Sequence, residues 1–180
     1  MRLYHGSSVM IEKPDVSRNT GFSDLGRGFY LTDDLAIARK RAVSRARIDG
    51  TESGVVSVYE FDQDAIEWMT WDVEQTMPES SRWGLSFVAD AAGIAAWARY
   101  IKSCRAGRTE IEGAGEPAVV QAWIATEEIE MVCSGLLTAD ELATYIDPRE
   151  LVVQYCFREQ RLVDEHLGFV ETITLHGGTA

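Results

Sequence analysis

The chain has 180 residues, 46% of them hydrophobic, which is the length of one ordinary domain with a single buried core. Its formal net charge of −12 repels nucleic acid at long range and argues against a generic DNA- or RNA-binding role. It has no apolar run of the roughly 20 residues that a membrane-spanning helix needs and no signal-peptide pattern. Its 3 scattered cysteines suit neither a disulfide framework nor a zinc site. We therefore expect one soluble, cytoplasmic domain over residues 1–180, with no metal and no membrane partner.

Hydrophobic periodicity predicts short strands and amphipathic helices along the whole chain. Runs of β-branched and aromatic residues indicate strands at 2–5, 28–32, 55–61, 118–124, 151–157 and 169–175. Apolar residues at helical spacing indicate helices after residue 32, from residue 87 to near residue 105, from 127 to 132, and from 138 onward. Because the helices are grouped between early, middle and late strands, this order fits a mixed α+β domain better than a strict βαβ repeat.

Local signals place several element boundaries. We expect Gly6 to end the first strand. Thr32 or Asp33 stands at the capping position of the helix that follows the second strand. Thr138 and Glu141 have the spacing of a capping box, so a helix is expected to start there.

Other segments give weaker signals. Pro148 is expected to close the helix that begins after residue 138. Residues 12–27 have the composition of an ordered loop, and a charged stretch through His166 is expected to lead into the final strand. In residues 62–84 the tryptophans indicate packing, whereas Pro78 and the serines around it indicate irregular chain.

A short basic segment interrupts this acidic sequence. Its members are Arg39, Lys40, Arg41, Arg45 and Arg47. One interpretation is a solvated helix face, and the other is a landing place for phosphates or for an acidic partner. The sequence leaves both open.

The common catalytic motifs are absent from the sequence. There is no GxxxxGK[ST] phosphate loop, no HExxH helix and no GxSxG elbow. The spacing of the histidines at 5, 166 and 176 does not support a Ser-His-Asp or Cys-His site. Two segments stand out instead, LYHGSS at residues 3–8 and GRGFYLT at residues 26–32.

These two segments resemble the first two signature motifs of the ADP-ribosyltransferase superfamily, in the His-Tyr branch that includes the poly(ADP-ribose) polymerases and diphtheria toxin. That branch carries a histidine-glycine on one core strand, a tyrosine on the next strand, and usually a glutamate near the start of a late strand. The matching positions here are His5 with Gly6, Tyr30, and Gln154 in place of the glutamate. The resemblance implies an α+β fold with a split mixed β-sheet core and flanking helices.

Over roughly residues 2 to 170, the chain also resembles an uncharacterised bacterial family assigned to that superfamily and often encoded beside a small partner protein in toxin-antitoxin fashion. The shared features include LYHGSS, DLGRGFYLT and the VYEF of residues 58–61. Each motif alone is weakly specific, but their order and spacing together are much stronger. The resemblance implies a toxin with an unknown macromolecular acceptor and a small antitoxin partner.

The resemblance further implies NAD as the substrate and assigns roles to the residues that would contact it. His5 would bond a ribose hydroxyl, the backbone of Gly6 would approach the nicotinamide carboxamide, and Tyr30 would stack on the nicotinamide ring. Arg18 or Arg27 would meet the pyrophosphate. The full set expected to bind NAD is His5, Gly6, Ser7, Arg18, Arg27, Gly28 and Tyr30. The simpler interpretations are a structural histidine, a turn glycine, a core tyrosine and solvated loop arginines.

Gln154 is the departure from the most active enzymes of the superfamily. A glutamate would bind the ribose hydroxyl and also place negative charge beside the developing cation, whereas glutamine keeps the hydrogen bond and loses the charge. Losing one such contact costs about 2.7 to 4 kcal/mol, on the order of a hundred- to thousandfold in rate. The sequence therefore supports either a mono-ADP-ribosyltransferase that uses His5, Tyr30 and Gln154, or a weak or inactive module that binds NAD or ADP-ribose. Simple NAD hydrolysis lies between them.

Overall fold

The computed structural model describes residues 1–19, 23–70, 83–111 and 115–176. Its strands are β1 (Arg2–Ser7), β2 (Phe29–Thr32), β3 (Ser53–Phe61), β4 (Glu67–Thr70), β5 (Trp83–Ser86), β6 (Val119–Trp123), β7 (Val153–Phe157) and β8 (Leu167–His176). Its α-helices are α1 (Leu35–Asp49), α2 (Ala91–Arg105), α3 (Glu127–Ser134), α4 (Ala139–Leu142) and α5 (Gln160–His166). This mixture of strands and helices confirms the α+β content expected from the sequence.

The strands form one mixed sheet that is nearly divided in its middle. The 8 strands lie in the order β4-β5-β6-β7-β2-β1-β3-β8. The pairs β4–β5 and β5–β6 are parallel, and the other neighbours are antiparallel. Whereas β1 and β3 pair along their length, β1 and β2 pair at Tyr4 and Thr32 alone, although both strands are fully described. The sheet therefore separates into two parts at the boundary between β2 and β1.

Alternating side chains of the central strands enter different hydrophobic clusters. Val120 packs with α2, α3 and α4, whereas Val119 packs in a cluster that includes the buried residues of α5. Tyr30 and Phe29 of β2 are divided in the same way. This is the two-residue period of a strand that is covered on both faces.

Helix α1 lies directly on β1 and β3 because small residues meet at the contact. Ala38 and Ala42 of the helix are buried against Gly6 and Gly54. A Cβ atom on Gly6 would lie 2.0 Å from the Ala38 carbonyl oxygen, and one on Gly54 would lie 2.6 Å from the Ala42 carbonyl oxygen. Only glycine admits the helix at this distance.

The first and last predicted strands are present and longer than expected. β1 continues through Gly6, which pairs with Val56 of β3 and is followed by Ser7. The prediction that Gly6 ends this strand was wrong, because the glycine serves helix packing and not a turn. β8 begins at Leu167, which pairs with Phe61 at the end of β3.

The first helix is capped by a residue that was not predicted. Asp34 Oδ1 accepts hydrogen bonds from the backbone amides of Ala36 and Ile37 at 2.7 and 3.1 Å. Neither Thr32 nor Asp33 is the cap. Thr32 instead uses its hydroxyl within the sheet, where it donates to a backbone carbonyl of β7.

The capping box of α4 is confirmed. Thr138 Oγ1 accepts from the backbone amide of Glu141 at 3.1 Å, and the Glu141 carboxylate accepts from the backbone amide of Thr138 at 2.8 Å. The helix ends at Leu142, so the prediction that Pro148 closes it was wrong. Pro148 begins a separate 3-10 turn, capped by Asp147.

Helix α5 replaces the charged connection that was expected before β8. It buries Leu162 and Val163, which are adjacent and therefore give no helical period. The single domain expected over residues 1–180 includes residues outside the described ranges. The expectations for Trp71 and Pro78 concern residues of that kind. None of the described helices is long and apolar enough to cross a lipid bilayer.

The glycine contact between β1 and α1 can be tested by adding one methyl group. Gly6→Ala forces a Cβ against the Ala38 carbonyl oxygen, and overpacking of this kind costs about 1–3 kcal/mol. Urea denaturation should show this loss in the free energy of unfolding. Gly168→Ala is the matched control in another strand, because its Cβ would meet nothing nearer than the Glu60 carbonyl oxygen at 4.0 Å. Equal stability of the two variants would contradict the packing argument.

Candidate active site

A cleft of about 700 Å³ opens where β1 and β2 separate. Residues of β1, β2, α1 and β7 line it, together with described residues of the segment between β1 and β2 and of the loop that follows β6. The volume lies within the roughly 300–1,000 Å³ of small-molecule sites. The residues predicted from the sequence that line it are His5, Gly6, Ser7, Arg18, Gly28, Tyr30 and Gln154.

His5 bridges the division of the sheet. Its Nδ1 lies 2.7 Å from the carbonyl oxygen of Tyr30, and its ring stacks on Phe29 with centroids 4.5 Å apart. Because a carbonyl can only accept, Nδ1 carries the proton and Nε2 keeps its lone pair. Burial lowers the pKa of His5 below 6.5, and the positive charges of Arg41 and Arg45 lower it further, against the opposing hydrogen bond. The imidazole is therefore neutral at pH 7, with Nε2 as an acceptor.

Tyr30 uses its hydroxyl to hold the turn that precedes β2. The hydroxyl donates to the Gly26 carbonyl oxygen at 2.7 Å and accepts from the Leu25 backbone amide at 3.0 Å. Burial is the main cause that raises the pKa of Tyr30 far above its usual value, so the phenol stays neutral. The hydroxyl is thus committed to the turn, with its proton donated and one lone pair engaged.

Two arginines from distant parts of the chain fix this turn. The buried guanidinium of Arg158 donates to the Leu25 carbonyl oxygen and lies 3.4 Å from the Glu116 carboxylate. Arg105 donates through two nitrogens to Asp24 Oδ1, at 2.9 and 2.7 Å. Neither arginine was predicted from the sequence, because no local pattern marks contacts between residues so far apart in the chain.

Gly28 has a packing role at the start of β2. Its φ of 153° lies in the range that favours glycine, and a Cβ atom would meet the Phe157 carbonyl oxygen at 2.4 Å and Cys156 Sγ at 2.7 Å. Gly28 and Gly6 are thus both required by the fold. Contact of the Gly6 backbone with a nicotinamide carboxamide remains a prediction.

Gln154 is held by the sheet around it. It is 4% exposed and pairs with Thr32 of β2 and Ala122 of β6. Its Nε2 donates to the Trp123 carbonyl oxygen at 3.0 Å, and the indole of Trp97 donates to the same oxygen at 3.2 Å. The amide nitrogen of Gln154 therefore has a fixed structural partner, which leaves its Oε1 for other contacts.

The arginines predicted to meet a pyrophosphate occupy exposed positions. The side chain of Arg18 lines the cleft, is 86% exposed, and pairs with Asp15 of its own turn at 3.6 Å. Arg27 is exposed and is not among the residues that line the cleft. Their contact with a phosphate remains a prediction.

The basic segment of the sequence is divided between two surfaces. Arg41 and Arg45 line the cleft. Arg39, Lys40 and Arg47 instead line a more open groove between α1 and β8. The cluster is visible in the sequence, but the division of its members between the two surfaces depends on how α1 packs on the sheet.

The cleft thus combines an imidazole acceptor, an aromatic ring, a buried carboxamide and the guanidinium groups of Arg18, Arg41 and Arg45. Within the described ranges, no three His, Cys, Asp or Glu side chains could together hold a metal ion. Cys104, Cys133 and Cys156 are free thiols. The groups present suit recognition of a polar, aromatic and anionic small molecule.

Comparison with known proteins gives a family and no function. No curated protein and no solved structure matches the chain significantly. The match that was found covers residues 1–169, which is nearly the whole chain. The protein accordingly belongs to the family described as "Protein of unknown function (DUF3990)".

Proposed function

We propose that this protein binds NAD in the cleft and acts as an NAD-dependent mono-ADP-ribosyltransferase on a macromolecular acceptor. One observation carries the proposal: His5, Tyr30 and Gln154, which come from different strands, line the same cleft. These are the positions through which the sequence resembles the ADP-ribosyltransferase superfamily. The near-division of the sheet between β1 and β2 also fits the split sheet that this resemblance implies.

The proposed reaction breaks the bond between nicotinamide and ribose, and an acceptor nucleophile then attacks the oxocarbenium-like ribose carbon. The protein contributes mainly orientation and charge stabilisation. His5 Nε2 accepts a bond from a ribose hydroxyl, which its neutral state allows. The ring of Tyr30 stacks on the nicotinamide, and Gln154 Oε1 accepts from a ribose hydroxyl because Nε2 is engaged by Trp123.

The biological setting follows from the second resemblance. Bacterial proteins of the resembled family are often encoded beside a small partner. On that basis, the proposed enzyme is the toxin of a toxin-antitoxin pair, and the partner is its antitoxin. The acceptor is a cellular macromolecule.

The second candidate function is a binding module that holds NAD or ADP-ribose without efficient turnover, and the charges of the cleft favour it. Among the described residues that line the cleft, the carboxylates are Asp15 and Asp24. Asp15 pairs with Arg18 at 3.6 Å and Asp24 with Arg105 at 2.7 Å. Because Gln154 is neutral, no unpaired carboxylate of this described lining stabilises a developing cation. Catalysis by this cleft is therefore expected to be slow.

Radiolabelled NAD separates the candidates. With label on the adenylate phosphate, the protein and cell extract, we expect a labelled macromolecule and released nicotinamide. The double variant His5→Ala/Tyr30→Ala should lose both signals by at least about a hundredfold, because it removes the ribose contact and the stacking surface. Tyr145→Ala is the control, because that tyrosine is 75% exposed and does not line the cleft.

The other outcomes of this experiment are also informative. Equal label with the double variant would refute the transferase proposal. Binding of NAD by calorimetry without nicotinamide release over hours would support the binding module. Release of nicotinamide without macromolecular label would indicate NAD hydrolysis.

The contact between Gln154 and Trp123 predicts how a restored glutamate behaves. In Gln154→Glu, a carboxylate oxygen replaces the N–H that faces the Trp123 carbonyl oxygen, and the unmet acceptor should cost about 1–3 kcal/mol of unfolding free energy at pH 8. Since the neutral acid can donate to that carbonyl, the pKa of the new carboxyl is raised. Its deficit relative to wild type should therefore shrink as the pH falls toward 5.

Gln121→Glu is the matched control for this substitution. Gln121 Nε2 donates to the Tyr155 hydroxyl at 3.1 Å, and a hydroxyl can reverse its role and donate to a carboxylate. The control should lose less stability than Gln154→Glu. A Gln154→Glu protein as stable as wild type at pH 8, with faster nicotinamide release, would show that the site accepts a charge.

The lowered pKa of His5 predicts acid sensitivity. Below about pH 6.5 the unfolded chain binds a proton at this histidine that the folded protein resists, so unfolding becomes more favourable as the pH falls. His5→Asn can still donate to the Tyr30 carbonyl oxygen but does not titrate. The stability advantage of wild type over His5→Asn should therefore decrease between pH 7.5 and pH 5, as measured by urea denaturation. Parallel pH profiles would contradict a neutral buried imidazole.

A further inference from the structure

Two arginines of α1 line the cleft, and the described residues offer them few ionic partners. Arg41 and Arg45 are separated by one helical turn, so they lie on the same face of α1. Arg41 makes no hydrogen bond or ion pair with the described residues. Arg45 lies 3.4 Å from Asp49, and its side chain is 52% exposed, so this pair is weak. Two guanidinium groups on one cleft wall therefore remain able to bind an anion.

The packing of α1 explains why these arginines lie beside the predicted NAD-binding residues. The contact of Gly6 with Ala38 fixes the helix against β1. Arg41 and Arg45 line the same cleft as His5, and their positive charges lower the pKa of the imidazole. The cationic wall and the proposed ribose contact therefore belong to one continuous site.

The other arginines near the cleft are less suited to hold a phosphate. Arg18 lies on a short 3-10 turn and its side chain is 86% exposed, whereas that of Arg45 lies on a long helix and is 52% exposed. Arg27 does not line the cleft. A guanidinium group presents a planar fork of N–H donors that matches phosphate oxygens, so two such groups on a rigid helix form a better subsite than either loop residue.

We propose that Arg41 and Arg45 form the subsite that holds the pyrophosphate of NAD. The inference rests on the proposed function and deepens it, because it assigns the phosphate contacts to α1. The nicotinamide end of the ligand lies at Tyr30 and Gln154, and the diphosphate lies against α1. A ligand that lacks phosphates does not use this subsite.

The helix supplies a matched pair of variants for the test. Arg41→Gln/Arg45→Gln removes the proposed subsite, and Arg39→Gln/Arg47→Gln removes the same number of charges from the same helix. The control arginines line the other groove and make no ion pair with the described residues. Glutamine is a good helix former, so both variants should fold, which thermal unfolding will verify.

Calorimetric titration with four probes gives the readout. For Arg41→Gln/Arg45→Gln, the Kd of NAD and of ADP-ribose should rise at least about tenfold, as expected when charge-assisted hydrogen bonds are lost. The Kd of nicotinamide, which has no phosphate, should stay within about twofold. The control pair should bind every probe like wild type. Inorganic pyrophosphate should compete with ADP-ribose on wild type and not on the subsite variant.

Each remaining outcome has a distinct meaning. If the wild-type protein binds neither nicotinamide nor NAD, the proposed function and this inference are both overturned. Wild-type NAD binding that Arg41→Gln/Arg45→Gln retains would overturn the inference and leave the proposed function standing. If Arg39→Gln/Arg47→Gln weakens NAD binding equally, the effect is due to net charge. If Arg41→Gln/Arg45→Gln weakens nicotinamide binding as much as NAD binding, the effect is due to a disturbed fold. Either result would also overturn the assignment of Arg41 and Arg45 to the pyrophosphate.

Discussion

The hydrogen bond from His5 to the Tyr30 carbonyl oxygen joins two parts of a sheet that the backbone barely connects. Between β1 and β2 the ladder consists of the single pair Tyr4 and Thr32, and the imidazole continues the connection through its side chain. The same bond fixes the proton on Nδ1, and burial keeps the ring neutral. This one hydrogen bond therefore orients the His5 imidazole in the cleft and also helps to join the two parts of the sheet.

Gln154 shows how the sheet limits the chemistry of the cleft. The Trp123 carbonyl oxygen accepts hydrogen bonds from Gln154 and from Trp97, so the sheet favours a donor at this position. The Gln154 carboxamide therefore has a structural role of its own, because its N–H group bonds the carbonyl oxygen of Trp123 in β6. With Asp15 and Asp24 paired to arginines and Gln154 neutral, the described cleft lining offers no unpaired carboxylate to a developing cation. The proposed transferase and the alternative binding module would use the same cleft and differ in the reaction rate that Gln154 permits.

Features encoded in short segments could be predicted from the sequence, and features that depend on tertiary contacts could not. The capping box at Thr138 and most strands follow from patterns of a few neighbouring residues. The common location of His5 and Gln154 was suggested by the order of motifs and agrees with the cleft. The clamp of Arg158 on the turn before β2 joins residues that no local signal relates. Helical spacing of apolar residues correctly predicted a helix after residue 32, but it could not say which polar side of α1 meets the cleft.

The position of α1 matters because the protein is strongly acidic and this helix brings positive charge to the cleft. The proposed ligand, NAD, is anionic, and a net charge of −12 opposes its approach, although salt screens this repulsion beyond about 8 Å under physiological conditions. Local cations therefore decide whether an anion can bind, and α1 carries them on both of its exposed sides. Arg41 and Arg45 face the cleft, whereas Arg39 and Arg47 face the outer groove. The two interpretations of the basic segment are therefore compatible, because one helix can offer a phosphate subsite on one side and a solvated face on the other.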